Sequence, residues 1–299
     1  MDGRRIGIVA LAALVVIDLV LIALALRPAP VPDPVVMPVE VGTEQPAGDV
    51  APTPSATGSE AESFAPPAPE RLVAVRSDGT ALAVQTGACD AANSSGLEVD
   101  ANGNARSVVV PGAVMGRLTT AAGGNLELVA AASDCSGQQS FTEADQPDEW
   151  TPQGPPNGIA YMFAGGTGIT LSAATVPYPC EVKSFAPGGE APAVLCADGS
   201  VLTAEGGAWT TQGTLGSGLA ISGVSGAGGL VGLATADDCP GLTVHTSDDS
   251  GATWNRISCL NGVASGPGPV GIGAQGTTVV VVDGNGNPYR STDSGGIFS

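Results

Sequence analysis

An all-β domain built from repeated small sheets is the fold predicted for residues 71–299, and three observations predict it. Aromatic residues make up only 4% of the 299-residue chain, whereas glycine alone occurs 44 times. Short strands joined by tight turns accommodate that mixture better than helices do. Asp-Gly and Asn-Gly turns recur between short apolar runs, and segments of similar pattern return at long spacings.

The turns carry the most local information. Ser77-Asp78-Gly79-Thr80, Asp100-Ala101-Asn102-Gly103-Asn104, Asp198-Gly199-Ser200 and Asp283-Gly284-Asn285-Gly286-Asn287 are alike, and alternating Val or Leu residues flank several of them. Such turns supply the positive φ angles that a hairpin needs, so each predicts two antiparallel strands.

The repeat is longer than one hairpin. Cys135 to Cys239 spans 104 residues, and so does Trp150 to Trp254. That fits two units of about 52 residues with Trp209 marking the unit between, and periods near this length built from short strands indicate propeller blades. Residues 71–299 then form a β-propeller of about five four-stranded blades, with six as the alternative. The last unit is expected to borrow a strand from the segment after Glu70, closing the ring by pairing the two ends.

Two segments share a more specific pattern. Ser247-Asp248-Asp249-Ser250-Gly251-Ala252-Thr253-Trp254 matches S-x-D-x-G-x-T-W in full, and Ser291-Thr292-Asp293-Ser294-Gly295-Gly296-Ile297-Phe298 is a weaker copy 44 residues later. The region resembles the BNR/Asp-box repeats of sialidase-like, sortilin-like and photosystem-assembly-factor-like propellers. That resemblance implies a peripheral turn in each blade, away from the central binding face. Ser247, Asp249, Gly251 and Trp254, with Ser291, Asp293, Gly295 and Phe298, are accordingly expected to be fold residues: Asp and Ser bond backbone donors, Gly permits the turn, and the aromatic ring packs between sheets.

Ahead of this domain lie two segments of different character. The apolar run that starts at Ile6 and closes at Leu26 has 21 residues, 14 of them Leu, Ile or Val. It is about 32 Å long as a helix, the thickness of a bilayer core. Its aliphatic residues, at roughly −0.3 to −0.6 kcal/mol each, outweigh the ~2.5–3.5 kcal/mol penalty of Asp18. Arg4 and Arg5 precede the run, and no basic residue follows Arg27 until Arg71. The positive-inside rule then predicts a single-pass cell-membrane protein with a cytoplasmic N-terminus and an extracellular C-terminal domain. The rival reading is a cleaved signal peptide, since Ala23-Leu24-Ala25 resembles its processing site. Residues 28–70 are proline-rich, with too little apolar content to fold, and are expected to be a disordered stalk.

Without Asp2, Asp18, Arg4, Arg5 and Arg27, the exported part keeps 27 acids against seven bases, a net charge near −20. Such a surface repels phosphate backbones, which argues against nucleic-acid binding. All six cysteines (Cys89, Cys135, Cys180, Cys196, Cys239 and Cys259) fall outside the cytoplasm. An even number there implies disulfides, with 15 connectivities open. The local pairs Cys180 with Cys196 and Cys239 with Cys259 are preferred, which leaves Cys89 with Cys135.

The chemistry-bearing residues are few. His245 is the single histidine and sits in a strand pattern just before the first box. Gly165-Gly166-Thr167-Gly168 lacks the lysine of a phosphate loop and is expected to be a turn. The Asp100 and Asp283 turns resemble the start of a calcium loop but lack its glutamate at the twelfth position. No catalytic residue, cofactor or metal is expected. The predicted function is a non-catalytic binding or scaffold module for an envelope protein, peptide or glycan. The alternative is a surface-tethered, sialidase-like exo-glycosidase, which would need three converging arginines drawn from Arg71, Arg76, Arg106, Arg117, Arg256 and Arg290, together with a Tyr–Glu nucleophile pair for which Tyr161, Tyr178 and Tyr289 are the available tyrosines.

Overall fold

In the computed structural model the described residues are 64–299, apart from residues 92, 122, 145–148, 173, 189–190 and 226–228. The apolar run from Ile6 to Leu26 and the stalk up to residue 63 therefore lie outside the described residues. Among those described there is no α-helix, and none that could cross a membrane.

Six antiparallel meanders follow one another. The first contains β1 (Arg71–Val75), β2 (Ala81–Gln85), β3 (Ser95–Val99) and β4 (Ala105–Val108). The second contains β5 (Val114–Thr120), β6 (Leu126–Ala131), β7 (Gln139–Glu143) and β8 (Trp150–Gly154). The third has β9 (Tyr161–Met162), β10 (Ile169–Leu171) and β11 (Ala174–Val176), and the fourth has β12 (Val182–Ala186), β13 (Ala193–Cys196), β14 (Ser200–Glu205) and β15 (Ala208–Thr214). The fifth has β16 (Gly218–Ser225), β17 (Leu230–Ala236), β18 (Cys239–Ser247) and β19 (Asn255–Asn261), and the sixth has β20 (Gly271–Gln275), β21 (Thr278–Val282) and β22 (Pro288–Ser291). Strands pair in chain order within each meander; a short parallel pairing of Val224 with Ala274 and Ser225 with Gln275 joins the fifth and sixth into one seven-stranded sheet.

The sheets form a propeller-like ring. β1 lies beside β5, β5 beside β9, β12 beside β16, β16 beside β20, and β20 beside β1. Between successive meanders sits one of six apolar clusters, and period-2 alternation feeds them. Leu72, Ala74, Leu82 and Val84 face Met115 and Leu128 of the second meander, whereas Val73, Val75, Ala81 and Ala83 face Val280 and Val282 of the sixth. β21 does the same, sending Val279 and Val281 to the other side, against the fifth meander. A sheet buried on both faces needs continuous apolar runs, which explains Thr278-Val279-Val280-Val281-Val282. Each such valine, 0–2% exposed, contributes about 1.5–3 kcal/mol by leaving water.

The hairpin turns stand where the sequence places them, joining β1 to β2, β3 to β4, β13 to β14 and β21 to β22. The three disulfides pair Cys89 with Cys135, Cys180 with Cys196 and Cys239 with Cys259.

Three expectations are corrected. The third and sixth meanders have three strands rather than four among the described residues. The third is so short, with 21 residues from the start of β9 to the start of β12, that three meanders rather than two fit between Cys135 and Cys239. The ring does not close by borrowing the segment after Glu70. β1 pairs with β2, from Arg71 opposite Gln85 to Val75 opposite Ala81, and meets β20 by packing alone. Cβ atoms built on Gly271 and Gly273 would lie 2.6 and 2.5 Å from the carbonyl oxygens of Arg71 and Val73, so only glycine lets the two backbones lie this close. Beside β22, Ser299 exchanges both backbone hydrogen bonds with Arg290, at 3.0 Å each, in the place a fourth strand would take. Pro67 and Glu70, at the end of the expected stalk, are buried.

Candidate functional site

The residues that converge on the ring axis come from the first strands of the meanders and from residues 65–70. A cavity of about 400 Å³ opens there, lined by Glu70, Glu181, Lys183, Ser184, Ser265 and Val270 among others. β12 is the first strand of its meander, and a register shift between Val182 and Ser184 turns Lys183 out of the pairing. Lys183 donates from Nζ to the Gly218 carbonyl at 3.4 Å. Ser184 is buried, accepts the Ile221 N–H at 3.2 Å and donates to the Ile221 carbonyl at 3.4 Å.

Glu70 is the chemical centre of this cavity. Its N–H donates to Thr86 Oγ1 at 2.9 Å, and the Thr86 N–H returns a bond to its carbonyl at 2.9 Å, extending the β1–β2 ladder by one rung. Its side chain crosses the axis to the fourth meander, where Oε2 accepts the Phe185 N–H at 3.1 Å. Burial raises its pKa from the usual 4.5 to about 7, against the lowering effect of the Phe185 N–H and the Ser184 hydroxyl. Desolvation outweighs both hydrogen bonds.

A second inner-strand residue, Arg117 of β5, donates from Nη1 to the carbonyls of Ala160 at 3.0 Å and Pro187 at 3.2 Å, while its Nε is buried without a partner. It thereby ties three meanders together. Burial lowers its pKa, with Glu127 opposing.

Of the other arginines, Arg76 and Arg106 share Glu98, and the rest bind separate partners. Arg71 donates to the Asp283 carbonyl at 2.5 Å, Arg76 holds Glu143 and Glu98, Arg256 holds Asp238, and Arg290 donates to the Gly79 carbonyl. Arg106 pairs with Glu98. No three of them meet.

The box residues lie in turns that are complete in themselves. Ser247 Oγ donates to Asp249 Oδ1 at 2.8 Å and accepts the Gly251 N–H at 2.8 Å. Asp249 also takes the Thr253 N–H and hydroxyl at 2.8 and 2.6 Å, and Trp254 Nε1 donates to the Gly251 carbonyl at 3.1 Å. Ser291, Asp293 and Gly295 repeat the pattern, with the Gly295 N–H 3.0 Å from Ser291 Oγ and the Ile297 N–H 2.9 Å from Asp293. Ser250 and Ser294 have φ of 58° and 61°, and Gly251 and Gly295 follow at 97° and 91°. Trp254 packs on the cluster between the fourth and fifth meanders, and Phe298 on that between the fifth and sixth. Each box thus spends its Ser and Asp oxygens on hydrogen bonds within its own turn.

The same holds for Asp283, which accepts the Asn285 and Asn287 N–H groups at 2.9 and 2.8 Å, and for Asp100, which accepts those of Asn102 and Asn104. His245 contacts Thr243 Oγ1 at 3.0 Å within the fifth meander. Among the described residues no three His, Cys, Asp or Glu side chains could hold a metal ion.

No family model matches the chain. No curated protein matches it either. Among solved structures, the chain is similar to the Aleuria aurantia lectin in complex with Fucalpha1-6GlcNAc, at 10% identity and a TM-score of 0.44 over 77% of this chain and 94% of that one. It is also similar to YCF48 bound to D1 peptide, at 13% identity and a TM-score of 0.34 over 79% and 82%. A further similarity is to a GH74 xyloglucanase from Xanthomonas campestris, at 16% identity and a TM-score of 0.27 over 76% and 41%. The ring itself rests on the chain's own interlocking clusters and neighbouring first strands.

Sequence reasoning missed Glu70, Ser184, Phe185 and Lys183. One signal was available, an acid at the end of a proline run, with only Arg71 between it and the apolar stretch Leu72-Val73-Ala74-Val75 of β1.

Proposed function

We propose that this chain is a membrane-anchored, extracytoplasmic β-propeller of six blades that acts as a non-catalytic binding or scaffold module for an envelope protein, peptide or glycan. The axial cavity carries this reading. Concave sites with a few converging polar groups are where ligands bind, and here a buried carboxyl, a lysine, a serine hydroxyl and backbone donors meet across about 400 Å³. The run from Ile6 to Leu26 supports the anchor, and the proline-rich stretch supports a spacer between bilayer and domain. That no three of the arginines meet favours binding over glycosidase chemistry, and a fluorogenic sialoside assay on the full chain tests that preference directly.

A photo-crosslinking side chain placed at Ser265, in the full chain in cells, should give a light-dependent adduct. The same group at Gly103, on an exposed turn, should give none. Equal labelling at both positions, or none at either, would remove the axial cavity as the ligand site.

A further inference from the structure

Residues 64–70 read Phe-Ala-Pro-Pro-Ala-Pro-Glu, and their burial has a period of three. Pro67 and Glu70 are buried, Ala65, Pro66, Ala68 and Pro69 are exposed, and Phe64 stands at the margin at 36%. Three residues per turn is the period of polyproline II, so positions 64, 67 and 70 share one side of such a segment. That side faces the ring. The Gly165 N–H donates to the Pro67 carbonyl at 3.2 Å, and the Phe185 N–H donates to the Glu70 carboxyl at 3.1 Å. A polyproline segment has no internal hydrogen bonds, so its carbonyls are free to accept from a receptor, and its stiffness lowers the entropy lost on docking.

The receptor parts come from distant points of the chain. Gly165 lies in the turn between β9 and β10, Phe185 and Ser184 on β12, and Thr86 just past β2. The cavity continues beside the docked residues toward Ser265 and Val270, so the segment occupies only part of the cleft.

We infer that this axial cleft is a receptor for extended proline-rich peptides that carry a glutamyl carboxyl group three residues after a buried proline, and that residues 64–70 are its in-chain occupant. The inference rests on the reading of the axial cavity as the ligand site and names the ligand class. Because the occupant is tethered, its effective concentration is in the millimolar range, and a free peptide must outcompete it. The wild-type cleft is thus closed to weak ligands until the strap is displaced.

The test uses the full chain carrying Pro67→Asp together with Glu70→Ala, which removes both buried positions of the strap. Intact disulfides by mass spectrometry and an unchanged near-ultraviolet spectrum establish that it folds. The probe is a fluorescently labelled peptide of the sequence Phe-Ala-Pro-Pro-Ala-Pro-Glu, followed by anisotropy, beside a control ending in alanine. The double variant should bind the Glu-ended peptide at least about tenfold more tightly than wild type does, and at least about tenfold more tightly than it binds the control. Hydrogen exchange at the Gly165 and Phe185 amides should speed up in the variant and slow again with peptide. A folded variant that binds neither peptide, or both equally, overturns the inference. If the Ser265 crosslink persists in that case, the axial cavity keeps its role and only the ligand class is wrong.

Discussion

The rim and the axis of this ring hold their carboxylates in opposite ways. On the rim, Asp249 is fully exposed and hydrogen-bonded by Thr253 and Ser247, which pull its pKa down to about 2. On the axis, Glu70 is buried, and desolvation pushes its pKa up to about 7. The rim turn gathers all its partners within seven residues; the Glu70 carboxyl finds its backbone donor 115 residues away. Local hydrogen bonds favour the charged form of an acid, and long-range enclosure penalises it. The difference teaches where this fold is self-sufficient and where it depends on the whole ring.

The largest expected effect lies on the axis. Gly273→Val would drive a side chain into the Val73 carbonyl, 2.5 Å from where its Cβ must sit, and should lower stability by about 3 kcal/mol in urea unfolding. A milder loss would show that β1 and β20 can move apart.

Next comes the pH dependence of Glu70, which shares its cavity with Glu181 and Lys183. An acid whose folded pKa is raised favours the folded state most below its unfolded pKa. That stability should be fully present below about pH 4.5 and lost as pH rises through about 7. The shift corresponds to about 3 kcal/mol. Glu70→Gln should abolish this loss, leaving the variant the more stable protein at pH 8 and no different near pH 4. Parallel profiles for the two proteins would show that Glu70 is hydrated.

Asp249 should behave in the reverse sense. Its lowered pKa gives stability above about pH 3.8 that is lost as pH falls toward about 2. Asp249→Asn should therefore flatten the acid limb of the melting-temperature profile and lower stability at pH 7, and Asp293→Asn should do the same in the sixth meander. The smallest effect belongs to Gly103, whose φ is +86° with nothing within 4 Å of a built Cβ. Gly103→Ala should cost about 1 kcal/mol, entirely from backbone strain.

The same division governs what could be read in advance. The four Asp turns and the hairpins they close were legible because each is set by residues two to four positions apart. Cys180 with Cys196 and Cys239 with Cys259 could be paired because each is the nearest cysteine to its partner, 16 and 20 residues apart. The unit length was misjudged because the third meander carries no tryptophan and is compressed to 21 residues, so the repeat of Cys135 and Trp150 in Cys239 and Trp254 skipped over it. The candidate site was hardly legible at all. Residues 64–70 have the composition of a stalk, and composition does not reveal that Gly165 and Phe185, far along the chain, present backbone donors at the matching spacing.

By itself, the sequence determined the all-β class, the turns and the alternating apolar runs of several strands, since these follow from local backbone preference and a two-residue period. Only the tertiary structure decided how the ring closes, which glycines let β1 and β20 touch, and that Glu70 lies in the axis. Those depend on enclosure and on distances between residues far apart in the chain, which no local pattern encodes.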